Sequence, residues 1–143
     1  MDSDIGTDTA TDTATGTGGY VQYQAGTGPY GVALRMWDTS RGWVGSLTGG
    51  QSPHVGGVVL AVPRPKSSGD GLTCDLYCIP VHGHKDAEGG AASAKRLAIG
   101  LNVPVSLTCG IHVDNADAED LKALLANCDA VVSEFLEVYG GKG

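Results

Sequence analysis

The stretch GGQSPHVGGVVLAV, residues 49–62, decides how the rest of the chain is arranged. Its second half, residues 55–62, is a short run rich in β-branched residues and bounded by turn formers, which predicts a buried strand. Its first half is a polar glycine turn that brings His54 to the start of this strand. The glycines leave bare backbone, which suits a turn or the close approach of a ligand or of a second backbone. The stretch therefore predicts either a plain glycine-lined hairpin with an exposed histidine or a binding site at a strand end.

The composition indicates one acidic domain. The chain has 143 residues, enough for a hydrophobic core without disulfides or metal. Its formal net charge is -7, so we expect neither nucleic acid nor an anionic membrane as a partner. Abundant Asp and scarce Lys are typical of a high-salt cytoplasm, where an acidic surface maintains solubility. No apolar run approaches the roughly 18 residues of a membrane span, and the N-terminus lacks an export signal, so we expect a cytoplasmic protein.

Two regions are predicted along the chain. Residues 1–18 repeat Asp, Thr, Ala and Gly without apolar periodicity, which predicts a disordered acidic tail. Residues 19–143 are predicted to form a single α+β domain, a largely antiparallel meander sheet of about six strands with two helices from the C-terminal half packed on one face. The predicted strands are residues 20–25, 32–37, 43–48, 55–62, 72–80 and 103–112, and the predicted helices are residues 88–100 and a last helix after Asp117.

The last helix and the four cysteines carry further expectations. Apolar residues including Leu121, Leu124 and Leu125 recur at helical spacing, and Asp117 with Asp120 resembles a capping box.

The cysteines are expected to be reduced. Cys74 and Cys78 lie too far apart along one strand to share a metal ion, so both are predicted to be small core residues. Cys109 falls on the core side of its strand, which predicts an inert thiol and disfavours nucleophilic catalysis.

All four histidines lie at predicted strand ends or in the loop that leads to the first helix. His54 precedes the fourth strand, His82 and His84 follow the fifth, and His112 with Asp114 ends the sixth. Three neighbouring edges are thus placed to converge on one pocket, and three imidazoles with an open position suit Zn, Mn or Fe. The spacing matches no standard zinc motif, and the alternative is that each histidine is a hydrogen-bonded loop residue.

The start of the first helix offers a second kind of site. Lys85 and the free backbone N–H groups of the helix N-terminus suit a phosphate, such as that of a mononucleotide. The alternative is a solvated lysine. Asp86 and Glu88 in the same turn favour a simpler role, complementing the helix dipole.

Three motifs together resemble one known family. GGQSPHVG at 49–56, GHKD at 83–86 and GIHVDNA at 110–116 are similar to the LpdD-type prenylated-flavin chaperones, accessory proteins of UbiD-type decarboxylases with a fold related to proteasome-assembly chaperones. The resemblance covers residues 47–125. It implies a cytoplasmic homodimer that binds a divalent metal and FMN or prenylated FMN, supports maturation of a UbiD-type decarboxylase, and is not itself an enzyme.

The resemblance also implies roles for individual residues. By position, His54, His84 and His112 are expected to bind the metal, with His82 and Asp114 supporting them. Gly49, Gly50, Lys85 and Asp86 are expected to contact the cofactor. The flavin is then expected where the Gly49–Gly50 turn, the 83–86 loop and the end of the His112 strand meet.

Two other functions stay open from the sequence. One is a small metal-dependent hydrolase or decarboxylase that uses the histidine cluster to activate water or polarise a carboxylate. The other is a protein assembly chaperone that binds no small ligand.

Overall fold

The computed structural model describes residues 8–12, 19–83 and 86–141. Within these residues the chain forms one mixed sheet and two long helices, which confirms the predicted α+β fold. The strands are β1 (Asp8–Asp12), β2 (Val21–Ala25), β3 (Val32–Asp38), β4 (Trp43–Gly50), β5 (Gly57–Pro65), β6 (Leu72–Pro80) and β7 (Val105–His112). The helices are α1 (Asp86–Leu101) and α2 (Ala118–Tyr139).

The strand order departs from a simple meander at one place. The order is β1-β2-β3-β4-β7-β5-β6, so β7 lies between β4 and β5. It pairs parallel with β4 and antiparallel with β5, and all other neighbouring pairs are antiparallel. Strands that follow one another in sequence usually pair, which is why the sequence places β5 beside β4. Instead, the crossover connection through α1 places β7 in the middle of the sheet. Val105 and Leu107 of β7 are completely buried there.

Strand alternation turns one face of the sheet toward the helices. α1 packs on β5, β6 and β7, and α2 packs on β2 and β3, with the two helices in contact. The buried residues of β7 alternate with half-buried Ser106 and Thr108, as the period of two predicts. The aromatic ring of Phe135 lies in the core and makes edge-on contacts with Tyr23 and Trp43.

The helix termini and the cysteines refine this picture. Asp117 is the N-cap of α2. Its side chain accepts a hydrogen bond from the backbone N–H of Asp120, and the Asp120 side chain accepts one from the backbone N–H of Asp117, which confirms the capping box. Cys74 is half-buried and Cys109 buried, but Cys78 is exposed, so its prediction as a core residue is wrong. The reason is that β6 is an edge strand whose residues from Leu76 onward are all exposed.

The predicted tail lies mostly outside the described residues. Residues 1–7 and 13–18 are not described, whereas Asp8–Asp12 form β1 on the outer edge of β2 and differ there from the expected disorder. Neither α1 nor α2, nor any other helix in the described part of the chain, has the length and apolar character needed to cross a membrane.

Candidate functional site

A cleft of about 360 Å³ opens between the first turns of α1, the start of α2 and the end of β7. This volume falls within the range of small-molecule sites, roughly 300–1,000 Å³. Its lining residues are Leu47, Gly83, Asp86, Gly89, Gly90, Cys109, Gly110, Ile111, His112, Leu121, Leu124, Leu125 and Cys128. The described walls are therefore mostly apolar, and Asp86 and His112 are the charged or polar residues among the described lining.

Two successive glycines, Gly89 and Gly90, leave α1 without side chains at one place where it borders the cleft. A Cβ on Gly90 would collide with the Cys109 sulfur, so this glycine lets α1 lie directly on β7. A Cβ on Gly89 would have no described heavy atom within 4 Å, so the volume in front of it is open among the described residues. Each glycine costs a helix about 1 kcal/mol relative to alanine. The helix thus presents bare backbone to the cleft at a cost in its own stability.

His54 reaches α1 from the loop between β4 and β5. Its Nε2 lies 3.1 Å from Oδ2 of Asp86, and its Nδ1 lies 2.8 Å from the carbonyl oxygen of Ser52. The other oxygen of Asp86 accepts a hydrogen bond from the backbone N–H of Ile111 at 3.1 Å. Both partners of the imidazole are acceptors, so both ring nitrogens act as donors in the protonated ring. The predicted cofactor ligand Asp86 is therefore a link between His54 and β7.

His112 forms a second histidine–aspartate pair on the same rim. Its Nε2 lies 2.8 Å from Oδ1 of Asp114, and the backbone N–H of Asp114 donates to Oε1 of Gln51 at 2.7 Å. The rings of His54 and His112 lie 6.3 Å apart, centroid to centroid. The structure thus brings together two of the predicted site histidines, together with Asp86 and Asp114.

The described residues do not fit the predicted three-histidine metal site. Across residues 8–12, 19–83 and 86–141, no three His, Cys, Asp or Glu side chains form a group able to hold a metal ion. His82 is exposed on the turn after β6 and does not line the cleft, while His84 and Lys85 lie outside the described residues. His54 presents both ring nitrogens to oxygen atoms, whereas a metal needs a nitrogen lone pair.

The predicted cofactor residues Gly49 and Gly50 lie at a different place. They line a separate groove of about 240 Å³ together with Arg35, Thr48 and Pro53, and not the cleft. Backbone packing explains both glycines. A Cβ on Gly49 would overlap the carbonyl oxygen of Gly31, and one on Gly50, which has a φ of 77°, would overlap that of His112.

Comparison with known proteins identifies the family. A model of the prenylated flavin chaperone LpdD-like domain matches residues 26–140. This chain belongs to the LpdD-like prenylated flavin chaperone family. That membership confirms the resemblance predicted from the three motifs. A search of curated proteins gave no match. Every residue that lines the cleft lies inside the matched LpdD-like domain.

The sequence did not indicate the apolar wall of this LpdD-like cleft. Helical spacing predicted Leu121 and Leu125 as apolar residues of the last helix, and the structure leaves them 52% and 58% exposed at the cleft. Helical spacing identifies an apolar face but cannot say whether a neighbouring element covers it. The pair Gly89–Gly90, unusual inside a helix, is the one local signal that pointed to this place.

The two cysteines of the LpdD-like cleft are not reactive. Burial is the main cause that raises the pKa of Cys109 to about 12, and burial likewise raises the pKa of Cys128 to about 12. Both sulfurs are therefore protonated thiols at neutral pH, which agrees with the predicted inert role of Cys109.

The environment of His54 predicts a pH-dependent contribution to stability. The hydrogen bond to the Ser52 carbonyl raises the pKa of His54 above 6.5; partial burial opposes this, and Asp86 adds to it. A raised pKa in the folded state stabilises the fold fully below about pH 6.5, the unfolded value, and this stabilisation is lost as the pH rises through the folded pKa. The free-energy advantage of the wild-type protein over His54→Gln should therefore be larger at acidic than at alkaline pH.

Urea denaturation of both proteins between about pH 5 and 9 measures this difference. An advantage that is constant or grows toward alkaline pH would contradict the assigned hydrogen bonds of His54.

Proposed function

We propose that the protein binds prenylated FMN, or its precursor FMN, in the cleft and supports maturation of a UbiD-type decarboxylase as an accessory protein. The observation that carries the proposal is an apolar cleft with a bare glycine backbone on one side and exposed leucines on the other, inside a domain of the prenylated flavin chaperone family. The family's chaperone character suggests a non-enzymatic role.

The shape and chemistry of the cleft support a flat aromatic ligand. Gly89 leaves open space above the α1 backbone, so a planar ring can approach that backbone closely. Leu121 and Leu125 lie across the cleft with more than half of their surfaces exposed, and burying them on a ring would be favourable. The isoalloxazine would thus lie between α1 and α2, with its polar edge toward His112.

The charge around the cleft supports reversible binding. Asp86 and Glu88 occupy the first turn of α1, and Glu119 and Asp120 occupy the first turn of α2. These carboxylates repel a phosphate, and they lie in a chain whose formal net charge is -7. The flavin phosphate would therefore lie toward solvent, where Lys85, outside the described residues, stays its predicted contact. Moderate affinity suits a protein that passes its cargo to a partner.

Metal binding is not part of the proposal. His54 and His112 are each engaged by an aspartate, and within the described part of the chain no third ligand joins them. This geometry does not favour a metal-dependent hydrolase or decarboxylase, and the proposed flavin contacts need no metal.

Replacing Leu125 with glutamate should weaken flavin binding about tenfold or more, because a charge would replace an apolar contact with the ring. Val138→Glu is the matched control, since Val138 is an exposed apolar residue of the same helix that does not line the cleft. Titrating each variant with FMN and with prenylated FMN, followed by flavin fluorescence, measures the effect.

Equal affinities for Leu125→Glu and Val138→Glu would place the flavin elsewhere. If neither flavin binds the wild-type protein, the proposal fails and the assembly chaperone without a small ligand is the better account.

We also infer that two copies of the chain associate through the outer face of the sheet, the face opposite α1 and α2. Strand register aligns a row of side chains on this face across five strands, from β3 through β4, β7 and β5 to β6. The row is Trp37, Val44, Ser106, Leu60 and Tyr77, and four of its five members are large, exposed and apolar. Ile79, 67% exposed, lies two residues beyond Tyr77 on the same face.

Charge favours a second copy as the occupant. Asp75 is the one acidic side chain among the described outer-face residues of β2 to β7, and it forms an ion pair with Arg64 at 2.9 Å. In a chain with a net charge of -7, this face lets two copies meet without bringing unpaired carboxylates together. A twofold axis along the strands would place the β3–β4 side of one copy opposite the β5–β6 side of the other.

Ile79→Glu should therefore shift the protein from dimer to monomer, because two-fold symmetry introduces the buried charge twice. Sedimentation equilibrium over a range of protein concentrations measures the mass, with Val138→Glu on the opposite side of the molecule as the control. A wild-type protein that is monomeric throughout, or an Ile79→Glu variant that stays dimeric, would refute this interface.

A further inference from the structure

The imidazole of His112 has one nitrogen held by the protein and one available. Its Nε2 faces Oδ1 of Asp114 at 2.8 Å, and among the described residues the ring has no other hydrogen bond. A carboxylate accepts hydrogen bonds only, so the proton lies on Nε2, and the neutral ring presents a lone pair at Nδ1. His112 is among the residues that line the cleft, and its side chain is 49% exposed.

Gln51 holds the pair in place through both its backbone and its side chain. Its backbone N–H donates to the carbonyl oxygen of His112 at 2.7 Å, and its Oε1 accepts from the backbone N–H of Asp114 at 2.7 Å. The backbone N–H of Ser52 donates to the same His112 carbonyl at 3.3 Å. The loop after β4 is therefore hydrogen-bonded to the end of β7 both at His112 and at Asp114. These hydrogen bonds restrict the position of the His112 ring.

We propose that Nδ1 of His112, positioned by Asp114 and Gln51, accepts a hydrogen bond from a ring N–H of the bound ligand and so selects heterocycles that carry an imide N–H. This inference rests on the proposed function and adds the group that determines specificity. In an isoalloxazine the matching donor is N3–H on the pyrimidine-like ring. Prenylation modifies the opposite side of the ring system and leaves this donor in place.

The proposal predicts discrimination between two closely related probes. FMN and 3-methyl-FMN differ only in that a methyl group replaces the N3 hydrogen. The wild-type protein should bind 3-methyl-FMN about tenfold more weakly, because the His112 acceptor would lose its donor inside the cleft. In His112→Phe the two probes should bind equally, since the acceptor is gone. This double-mutant cycle separates the hydrogen bond from other effects of either change.

The positioning role of Gln51 has its own test. Gln51→Ala removes the acceptor for the Asp114 N–H and should reduce the discrimination between the two probes, whereas Gln51→Glu keeps an acceptor there and should restore it. The ¹⁵N NMR shifts of the His112 ring report the tautomer directly. They should show the Nε2–H form in the wild-type protein and a mixture of tautomers in Asp114→Ala.

The outcomes separate this inference from the proposed function. If 3-methyl-FMN and FMN bind the wild-type protein equally, and Leu125→Glu weakens both, the His112 contact is refuted while flavin binding in the cleft stands. If discrimination persists in His112→Phe, the methyl group meets another part of the cleft, and the inference is likewise refuted. If neither probe binds the wild-type protein, the proposed function fails, and the inference fails with it.

Discussion

The carboxylate of Asp86 joins the three segments on which the rest of the site depends. One oxygen accepts the backbone N–H of Ile111 in β7, and the other faces the imidazole of His54 in the loop after β4. Since Asp86 is the first residue of α1, these contacts fix the start of that helix against the end of the sheet, where the cleft opens. A negative side chain at this position also complements the positive end of the helix dipole. A single acidic residue thus sets both the geometry and the polarity of the cleft mouth.

Glycines make this close association possible. A Cβ on Gly56 would overlap the Asp86 carboxylate, and one on Gly110 would overlap the carbonyl oxygen of His54. The loop from Gln51 to Gly56 therefore lies directly on β7 without intervening side chains. The sequence did not decide whether the glycines of this loop admit a ligand or a second backbone segment. At Gly49, Gly50 and Gly110 the neighbour is backbone, whereas at Gly83 and Gly89, which line the cleft, no described atom lies within 4 Å of an added Cβ.

The sequence predicted local structure well because alternation and capping are local properties. The faces of β7 and the capping box of α2 follow directly from residue spacing, and three short motifs were specific enough in combination to indicate the family. The insertion of β7 between β4 and β5 was not predictable, since it depends on how a crossover helix packs. For the same reason, spacing gave the apolar face of α2 but not the exposure of Leu121 and Leu125. The pairing of His54 with Asp86 joins residues 32 positions apart, and no local pattern encodes it.

In the function that we propose, the flavin ring lies in the cleft between α1 and α2. A crystal structure of the protein with bound FMN or prenylated FMN tests it most directly. We expect electron density for the isoalloxazine between the Gly89–Gly90 backbone and the side chains of Leu121 and Leu125, with the pyrimidine edge at His112. Density in the groove beside Gly49, Gly50 and Arg35, or on the outer face of the sheet, would contradict it.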